Sequence, residues 1–325
     1  MEQNQAISSR IGFEMKLIWT NSESENKLVM ADLPLSTIAK RTGHSENSVR
    51  NRRYQLRKFM LKDIQPLQGF KEPRIGVFDV ETLPIIMYAW RLGDQTYNPD
   101  QIIKPTSLLA WAGKYLNEPR VFSDILTPKE ALARYELRIV RTMWDFLASC
   151  QIVIGHNITQ FDTKHANRCF LQYGLPPIKY IQVDTLKIAR ENFLFDSNKM
   201  GFINKTLGIR QKLDNEGFPL WMKCADGNAD ALLRMAEYNV GDVQANEDQY
   251  FVVRAYVKNI NMALYSESTE RICPVCGSTD VKEDDFYYTP AGKWLSFRCN
   301  KCGCLCRCKQ NELDAEKRQG LLVNS

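Results

Sequence analysis

Hydrophobic and polar positions change period along the chain, and the changes divide it into segments. In ENKLVMADLPLSTIAKRTGHSENSVRNRRYQLRKFML (25–61) apolar positions recur at helical spacing, interrupted at TGHSEN. Pro34 and Ser36 suit the start of a helix and Gly43 its end, while Ser45 can cap a second helix running through Phe59. DIQPLQGFKEP (63–73) breaks the pattern with Pro and Gly and reads as a linker. From residue 74 to about 265, short apolar runs alternate with long helical patterns. The runs are RIGVFDVE (74–81), QIVIGHN (151–157) and KYIQVDT (179–185). The helical patterns are PKEALARYELRIVRTMWDFLAS (128–149) and NADALLRMAEYNVGDVQANEDQYFVVRAYVKNI (228–260). That alternation predicts an α/β layer fold, a sheet flanked by helices, with two further antiparallel strands from residues 85–130. The last segment, 266–325, is set apart by its cysteines.

Composition adds limits to this picture. A chain of 325 residues suits two or three domains, in line with a helical domain (1–62), a linker (63–73), an α/β domain (74–265) and a small C-terminal domain (266–325). With 44% hydrophobic and 25% charged residues the chain is globular. No apolar run approaches the ~20 residues that span a bilayer, and MEQNQAISSR lacks the apolar core of a signal peptide. A soluble, cytoplasmic protein with no membrane partner is expected.

The net charge of +5 is small, so its distribution carries more than its total. Between Ser36 and Lys62 eight Lys/Arg stand against one acid, Glu46. Arg50, Arg52, Arg53, Arg57 and Lys58 fall on the second helix. Ala39 is small where two helices would cross, Gly43 supplies the turn, and Val49 faces back into the angle. This spacing resembles the helix-turn-helix of DNA-binding regulators. A local charge of one sign is the footprint of phosphate binding, which makes the four arginines Arg50, Arg52, Arg53 and Arg57 candidate nucleic-acid contacts. A solvated basic face or a protein-docking module is the alternative.

RIGVFDVET (74–82) holds the main chemical signal. Residues i and i+2 of a strand share a face, so Asp79 and Glu81 point together, behind Ile75 and Val77, while Gly76, Phe78 and Val80 line the other side. Two aligned acids at the end of a buried strand raise each other's pKa and cost stability unless a cation neutralises them. A strand simply emerging into solvent would tolerate the same acids. Two further stretches bear on the choice. In IVIGHNITQFDTKHANRCF an apolar strand leads through a polar turn to a helix, with Asn157 at the strand end and Asp162 at the helix start, where an acid also serves the helix dipole. In LRMAEYNVGDVQANEDQY, Tyr238 and Asp242 lie four apart on one helical face.

Together FDVET, GHNITQFD and YNVGD resemble the three motifs of the DnaQ-like 3′–5′ exonucleases, in order and about 80 residues apart. The tyrosine of the third motif is similar to the tyrosine subclass, as in proofreading domains of family A and family B DNA polymerases, and HNITQFD looks most like the family B version. The resemblance covers residues 74–260 and implies an RNase H-like mixed sheet flanked by helices. It also implies hydrolysis by two Mg²⁺ or Mn²⁺ ions held by carboxylates. By resemblance Asp79 bridges both ions, Glu81 and Asp242 complete the site that activates water, and Asp162 holds the second ion, partly through water. Tyr238 orients the attacking water; its phenol is a poor base at neutral pH. Thr82, Asn157 and Phe161 match positions that touch the 3′ nucleotide of a single strand. His156 and His165 read as structural, Asp184 as non-catalytic, and Lys205 and Lys212 as solvated.

Seven of the ten cysteines crowd between Cys273 and Cys308. In a chain without an export signal this reads as metal binding sooner than as disulfides. Cys273, Cys276, Cys299 and Cys302 form two C-x₂-C knuckles around a hairpin with its turn at TPAGK, an arrangement that looks like a zinc ribbon with one structural Zn²⁺. Cys304, Cys306 and Cys308 alternate after it; packing is the simplest reading. Aromatic and basic residues of the tail suit nucleic-acid stacking or protein docking. The expected function is a metal-dependent 3′–5′ exonuclease on single-stranded DNA, in replication or repair, with a replicative polymerase or other replication protein as a possible partner. The alternatives are an exoribonuclease of the same subclass and a non-catalytic DNA-binding regulator.

Overall fold

The computed structural model describes residues 23–31, 33–46, 48–50, 52 and 73–323. By internal contacts the chain divides into two units, one of residues 1–66 with 174–176 and one of the remainder. In the first, α1 (Glu23–Met30) and α2 (Leu35–Thr42) pack through Val29, Ile38 and Val49, each fully buried, with Ala39 against them. Gly43 ends α2 in the left-handed conformation, at φ 73°. Ser45 then accepts a hydrogen bond from Ser48 N through its hydroxyl (3.2 Å), a cap for the helical turn that brings Val49 back to the core. The arginines of the second helix lie only partly within the described residues.

The second unit is built on β1 (Ile75–Leu83), β2 (Ile86–Met87), β3 (Ile102–Lys104), β4 (Ser107–Tyr115) and β5 (Val121–Ile125). Two helices follow, α3 (Pro128–Ala133) and α4 (Leu137–Ala148). Then come β6 (Ile152–Gly155), α5 (Asp162–Tyr173), β7 (Ile181–Asp184) and α6 (Thr185–Asn192). Three more helices, α7 (Met200–Leu207), α8 (Phe218–Ala225) and the 25-residue α9 (Ala229–Val253), complete the layer. The sheet order is β5-β4-β1-β6-β7, antiparallel from β5 to β1 and parallel from β1 to β7, so it is a mixed α/β sheet flanked by helices.

β1 divides its residues between two cores, as its period of two requires. Phe78 packs with Trp111 and Phe146 (ring centroids 6.4 and 6.3 Å), under α4. Val77 joins Ala112, Ile154, Val243 and Tyr250 beneath α9. On the α4 side Gly113 is pressed so close to the Phe146 ring that a Cβ there would lie 2.4 Å from a ring carbon.

Residues 85–130 do contain two antiparallel strands of the sheet, β4 and β5, but these begin only at Ser107. Residues 84–105 instead leave the sheet as an arm in which β2 and β3 pair only with each other. Pro84 and Pro105 bracket the arm, and a proline has no N–H to give a ladder. Arg134 Nη1 donates to both proline carbonyls at 2.6 Å and so ties the feet of the arm together. The arm exposes Tyr88, Trp90 and Leu92, the last two at 94% and 98%.

The C-terminal part is a three-stranded sheet, β10-β9-β8, of β8 (Val281–Thr289), β9 (Gly292–Cys299) and β10 (Leu305–Arg307), followed by α10 (Ala315–Gln319). It shares a core with the α/β layer: Cys273, Val275, Cys299 and Cys304 belong to one apolar cluster with Tyr250, Val253, Val257 and Ile260. Met262 N donates to Pro274 O (2.8 Å) across the same junction. Among the described residues no helix is long and apolar enough to cross a membrane.

The close approach at Gly113 is testable. Gly113→Ala forces the Phe146 stack to shift, and overpacking of this kind costs about 1–3 kcal/mol. The expected outcome is a lower denaturant midpoint at unchanged slope; an unchanged midpoint would show that the ring has room to move.

Candidate active site

The site forms where a strand loses its neighbour. β6 pairs with β1 only at Ile75–Val77 and then ends at Gly155, so β1 runs on alone on that side. The freed Val80 N–H is taken by Asp162, the first residue of α5, whose Oδ1 accepts it at 2.9 Å. The turn between β6 and α5 is held by Asp184. Its carboxylate accepts from Asn157 N (3.0 Å), from Thr159 N (3.1 Å) and from the Thr159 hydroxyl (2.7 Å), besides capping α6 at Leu186 N and Lys187 N. Asn157 takes φ +71° there, a conformation asparagine tolerates better than most residues. Asp184 thus fixes the turn that delivers Asp162, and has no place among the clustered acids.

Asp79 and Glu81 project from β1 toward α9, which lies across β1 and β4. Directly after Glu81 the register between β1 and β4 slips. Asp79, Glu81 and Asp242 each offer a carboxylate oxygen, all within 4.8 Å of one another. Asp162 adjoins this trio without being part of that cluster; its charge is felt at Asp79. Tyr238 stands one helical turn before Asp242, and Lys212 reaches both. The structure therefore brings together the residues of the three motifs.

Crowding and burial move every titration in the same direction. Burial first, then the charges of Asp162, Asp242 and Glu81, hold the Asp79 carboxyl well above its usual range. Burial and Asp242 push Glu81 to about 8. Burial lifts Asp162 to about 7 against the pull of the Val80 N–H. Asp242 is also raised by burial, although Lys212 opposes the rise. Burial raises the Tyr238 phenol to about 12, so it stays protonated at neutral pH.

Three partners are absent from the site residues expected from sequence. Lys212, expected in solvent, is drawn into the site: Nζ lies 2.6 Å from Asp242 Oδ2 and donates to the Tyr238 hydroxyl at 3.1 Å. Burial disfavours its charge, yet the Asp242 carboxylate outweighs this and raises its pKa. Trp221 of α8 hydrogen-bonds to Glu81, and its ring meets Tyr238 edge-on at 6.1 Å. Asn239 Nδ2 donates to Asp79 Oδ2 at 2.6 Å. Asn239 lies inside YNVGD and was within reach of sequence reasoning; Lys212 and Trp221 carry no spacing signal at all. Lys205 is exposed, as expected.

The candidate substrate contacts lie around this cluster. Thr82 is half-buried just past Glu81, Asn157 is half-buried in the turn, and Phe161 is 37% exposed at the start of α5, edge-on to His165 at 4.6 Å. A cavity of about 740 Å³ is lined by Asp79, His156, Asn157, Arg190, Lys199 and Lys212 among others. His156 is fully engaged: Nδ1 meets Thr185 Oγ1 and Gln249 Oε1, and Nε2 meets the Asn198 carbonyl, each at 3.0 Å. Burial lowers its pKa.

At the other end of α9 the four cysteines Cys273, Cys276, Cys299 and Cys302 place their sulfurs within 4.8 Å of one another. Gly277 and Gly303, at φ 73° and 77°, close the two knuckles, and each donates its N–H back to the first cysteine, Cys273 or Cys299. A hydrogen bond from Cys304 lowers the Cys273 thiol to about 4. Cys304 is buried, and Cys306 Sγ meets the Phe297 carbonyl (3.5 Å), so both are packed beside the quartet. In the first unit Arg50 is exposed and Arg52 half-buried; Arg53 and Arg57 lie outside the described residues.

No protein-family model matches this sequence, and no curated protein matches it. Among solved structures the fold is similar to a family B DNA polymerase from the hyperthermophilic archaeon Pyrobaculum calidifontis, at 14% identity and a TM-score of 0.41. The match covers 61% of this chain and 27% of the polymerase, so the chain spans about a quarter of that protein's length. A functional reading must stand on the geometry of the acids.

The raised carboxyl groups set a pH dependence. A carboxyl whose folded pKa exceeds its unfolded value of about 4 stabilises the fold most below that value, and the contribution is lost as pH rises through the folded pKa. For Asp162 and Glu81 the window runs from about pH 4 to about pH 8. Without added Mg²⁺ the melting temperature falls across this window. Asp79→Asn with Glu81→Gln flattens the fall, and a slope identical to wild type would remove the acids as its source.

Proposed function

We propose that this chain is a metal-dependent 3′–5′ exonuclease of the DnaQ-like tyrosine subclass, on an RNase H-like α/β domain spanning residues 74–265, acting on single-stranded DNA. The observation that carries the reading is the convergence of Asp79, Glu81 and Asp242 within 4.8 Å, beside Asp162 and Tyr238. A divalent cation fits this donor set: the donors are hard oxygens, and Asp242 Oδ1 is buried without a hydrogen-bond partner among the described residues. Acids this crowded and this buried are costly unless a cation offsets their repulsion.

Asp79, Glu81, Asp162 and Asp242 would hold two Mg²⁺ or Mn²⁺ ions, which supply an activated water and neutralise charge on the leaving oxygen. Tyr238, protonated at neutral pH, orients the attacking water through its hydroxyl and leaves proton abstraction to other groups. Trp221 holds Glu81 from the side of α8. Lys212 balances the acids in this state, and the same ammonium is within the cavity where a phosphate would enter. Thr82, Asn157 and Phe161 receive the terminal nucleotide. The four thiolates Cys273, Cys276, Cys299 and Cys302 hold one structural Zn²⁺, consistent with their tetrahedral-scale spacing. The helix-turn-helix of residues 1–62, with Arg50, Arg52, Arg53 and Arg57, and the ribbon of residues 266–325 hold DNA or a replication partner.

The test is digestion of 3′- and 5′-labelled DNA and RNA, single and double stranded, with Mg²⁺. Wild type removes nucleotides from the 3′ ends of single-stranded DNA, EDTA stops it, and Asp79→Asn with Glu81→Gln reduces it to background. Lys212→Ala lowers kcat by about 10²-fold, the typical cost of one lost electrostatic stabiliser. Unchanged digestion by the double variant overturns the catalytic assignment, and faster digestion of RNA moves the substrate class.

The thiol quartet is tested separately. Elemental analysis of purified protein, never exposed to chelator, gives about one zinc per chain, and Cys273→Ser lowers both zinc content and melting temperature. Full stability with no zinc would remove the ribbon assignment.

A further inference from the structure

We infer that Asn239 is a positioning residue for the cation site, a neutral clamp that fixes the Asp79 carboxylate. The inference rests on the proposed reading of the acids as cation ligands.

Position 239 belongs to the buried stripe of α9, one turn from Met235 and one turn from Val243, both fully buried. An apolar residue is the ordinary occupant of such a position. A buried amide there carries a desolvation cost unless its polar atoms are matched. Asn239 is 1% exposed. Its Nδ2 is spent on one contact, the 2.6 Å hydrogen bond to Asp79 Oδ2. Its Oδ1 is buried with no hydrogen-bond partner among the described residues. The amide is therefore poorly justified by packing and well justified by what it does to Asp79.

The chemistry of the donor matters. Asp79 sits among three other acids, and a lysine at position 239 would also satisfy it. That lysine would cancel the charge a cation needs. An amide donates without adding charge, so it fixes one oxygen of Asp79 and leaves the carboxylate's full charge for the cluster. Lys212 shows the contrast: its ammonium compensates Asp242 directly and must yield to any cation bound there. Asn239 need not move. It also couples the first and third motifs, because it lies next to Tyr238 and one turn before Asp242 on the same helix. Fixing Asp79 to α9 thus fixes the separation between the β1 acids and Asp242.

Manganese binding to the zinc-loaded full chain, followed by electron paramagnetic resonance at constant pH, tests this without turnover. Asn239→Ala and the near-isosteric Asn239→Leu are both measured, with melting temperatures taken in parallel so that a misfolded variant is recognised. Loss of an outer partner to a metal ligand weakens metal binding by about 10–100-fold. That weakening is expected in both variants. In an Asp79→Asn background, adding Asn239→Ala should change manganese affinity by less than about twofold, because the two residues act as one unit. Wild-type manganese affinity in the folded single variants overturns the inference, as does full additivity with Asp79→Asn; either leaves the cation site itself intact. If wild-type protein binds no manganese, the cation reading falls and the clamp with it.

Discussion

The constraint on which the rest depends is the repulsion among carboxylates gathered where β1 outruns β6. Three of them meet within 4.8 Å and a fourth stands against the same strand. No apolar packing relieves this, and burial makes it worse. The surrounding residues manage the charge in different ways. The Val80 N–H takes up Asp162, the Asn239 amide holds Asp79, and among the described residues Lys212 meets Asp242 with a full positive charge. Burial and mutual repulsion raise the pKa of all four acids, which is the cost of gathering them here.

The helix α9 carries the consequence through the molecule. Its buried face is not a simple apolar stripe: Asn239, Asp242, Asn246 and Gln249 are all buried along it. Asn246 accepts from Thr185, and Gln249 meets His156, so the seam ties α9 to the turns after β6 and β7. Farther along, the same helix becomes apolar, and Tyr250 and Val253 enter the cluster that surrounds the thiols. A single helix thereby faces clustered carboxylates at its middle and clustered thiols at its end.

Much of this was readable from the sequence because it depends on local periods. The strand period alone put Asp79 and Glu81 on one face with Val77 and put Phe78 on the other, as the two cores require. The C-x₂-C spacing alone gave the thiol quartet. What failed to show were features decided by distant contacts. Short apolar runs at 85–87 and 102–104 look like sheet strands, yet the prolines at both feet and Arg134 from α3 hold them apart as an arm. Lys212 and Trp221 enter the acid cluster from segments with no motif, where a lysine or tryptophan reads as surface or core. The core that the C-terminal cysteines share with Tyr250 and Val253 also did not show, because composition does not say which helix end they pack against.

The two clusters also differ in the donors they would offer a cation. Zinc accepts nitrogen and sulfur readily, whereas magnesium and manganese favour sites made wholly of oxygen. A histidine inside the acid cluster would blur that distinction. His156 is near enough to line the same cavity, yet both of its ring nitrogens are committed, to Thr185, Gln249 and the Asn198 carbonyl. The thiols, in turn, are confined to the far end of α9 by the apolar cluster around Tyr250 and Val253. His156 is thus committed to protein partners, beside a cluster made of carboxylates alone.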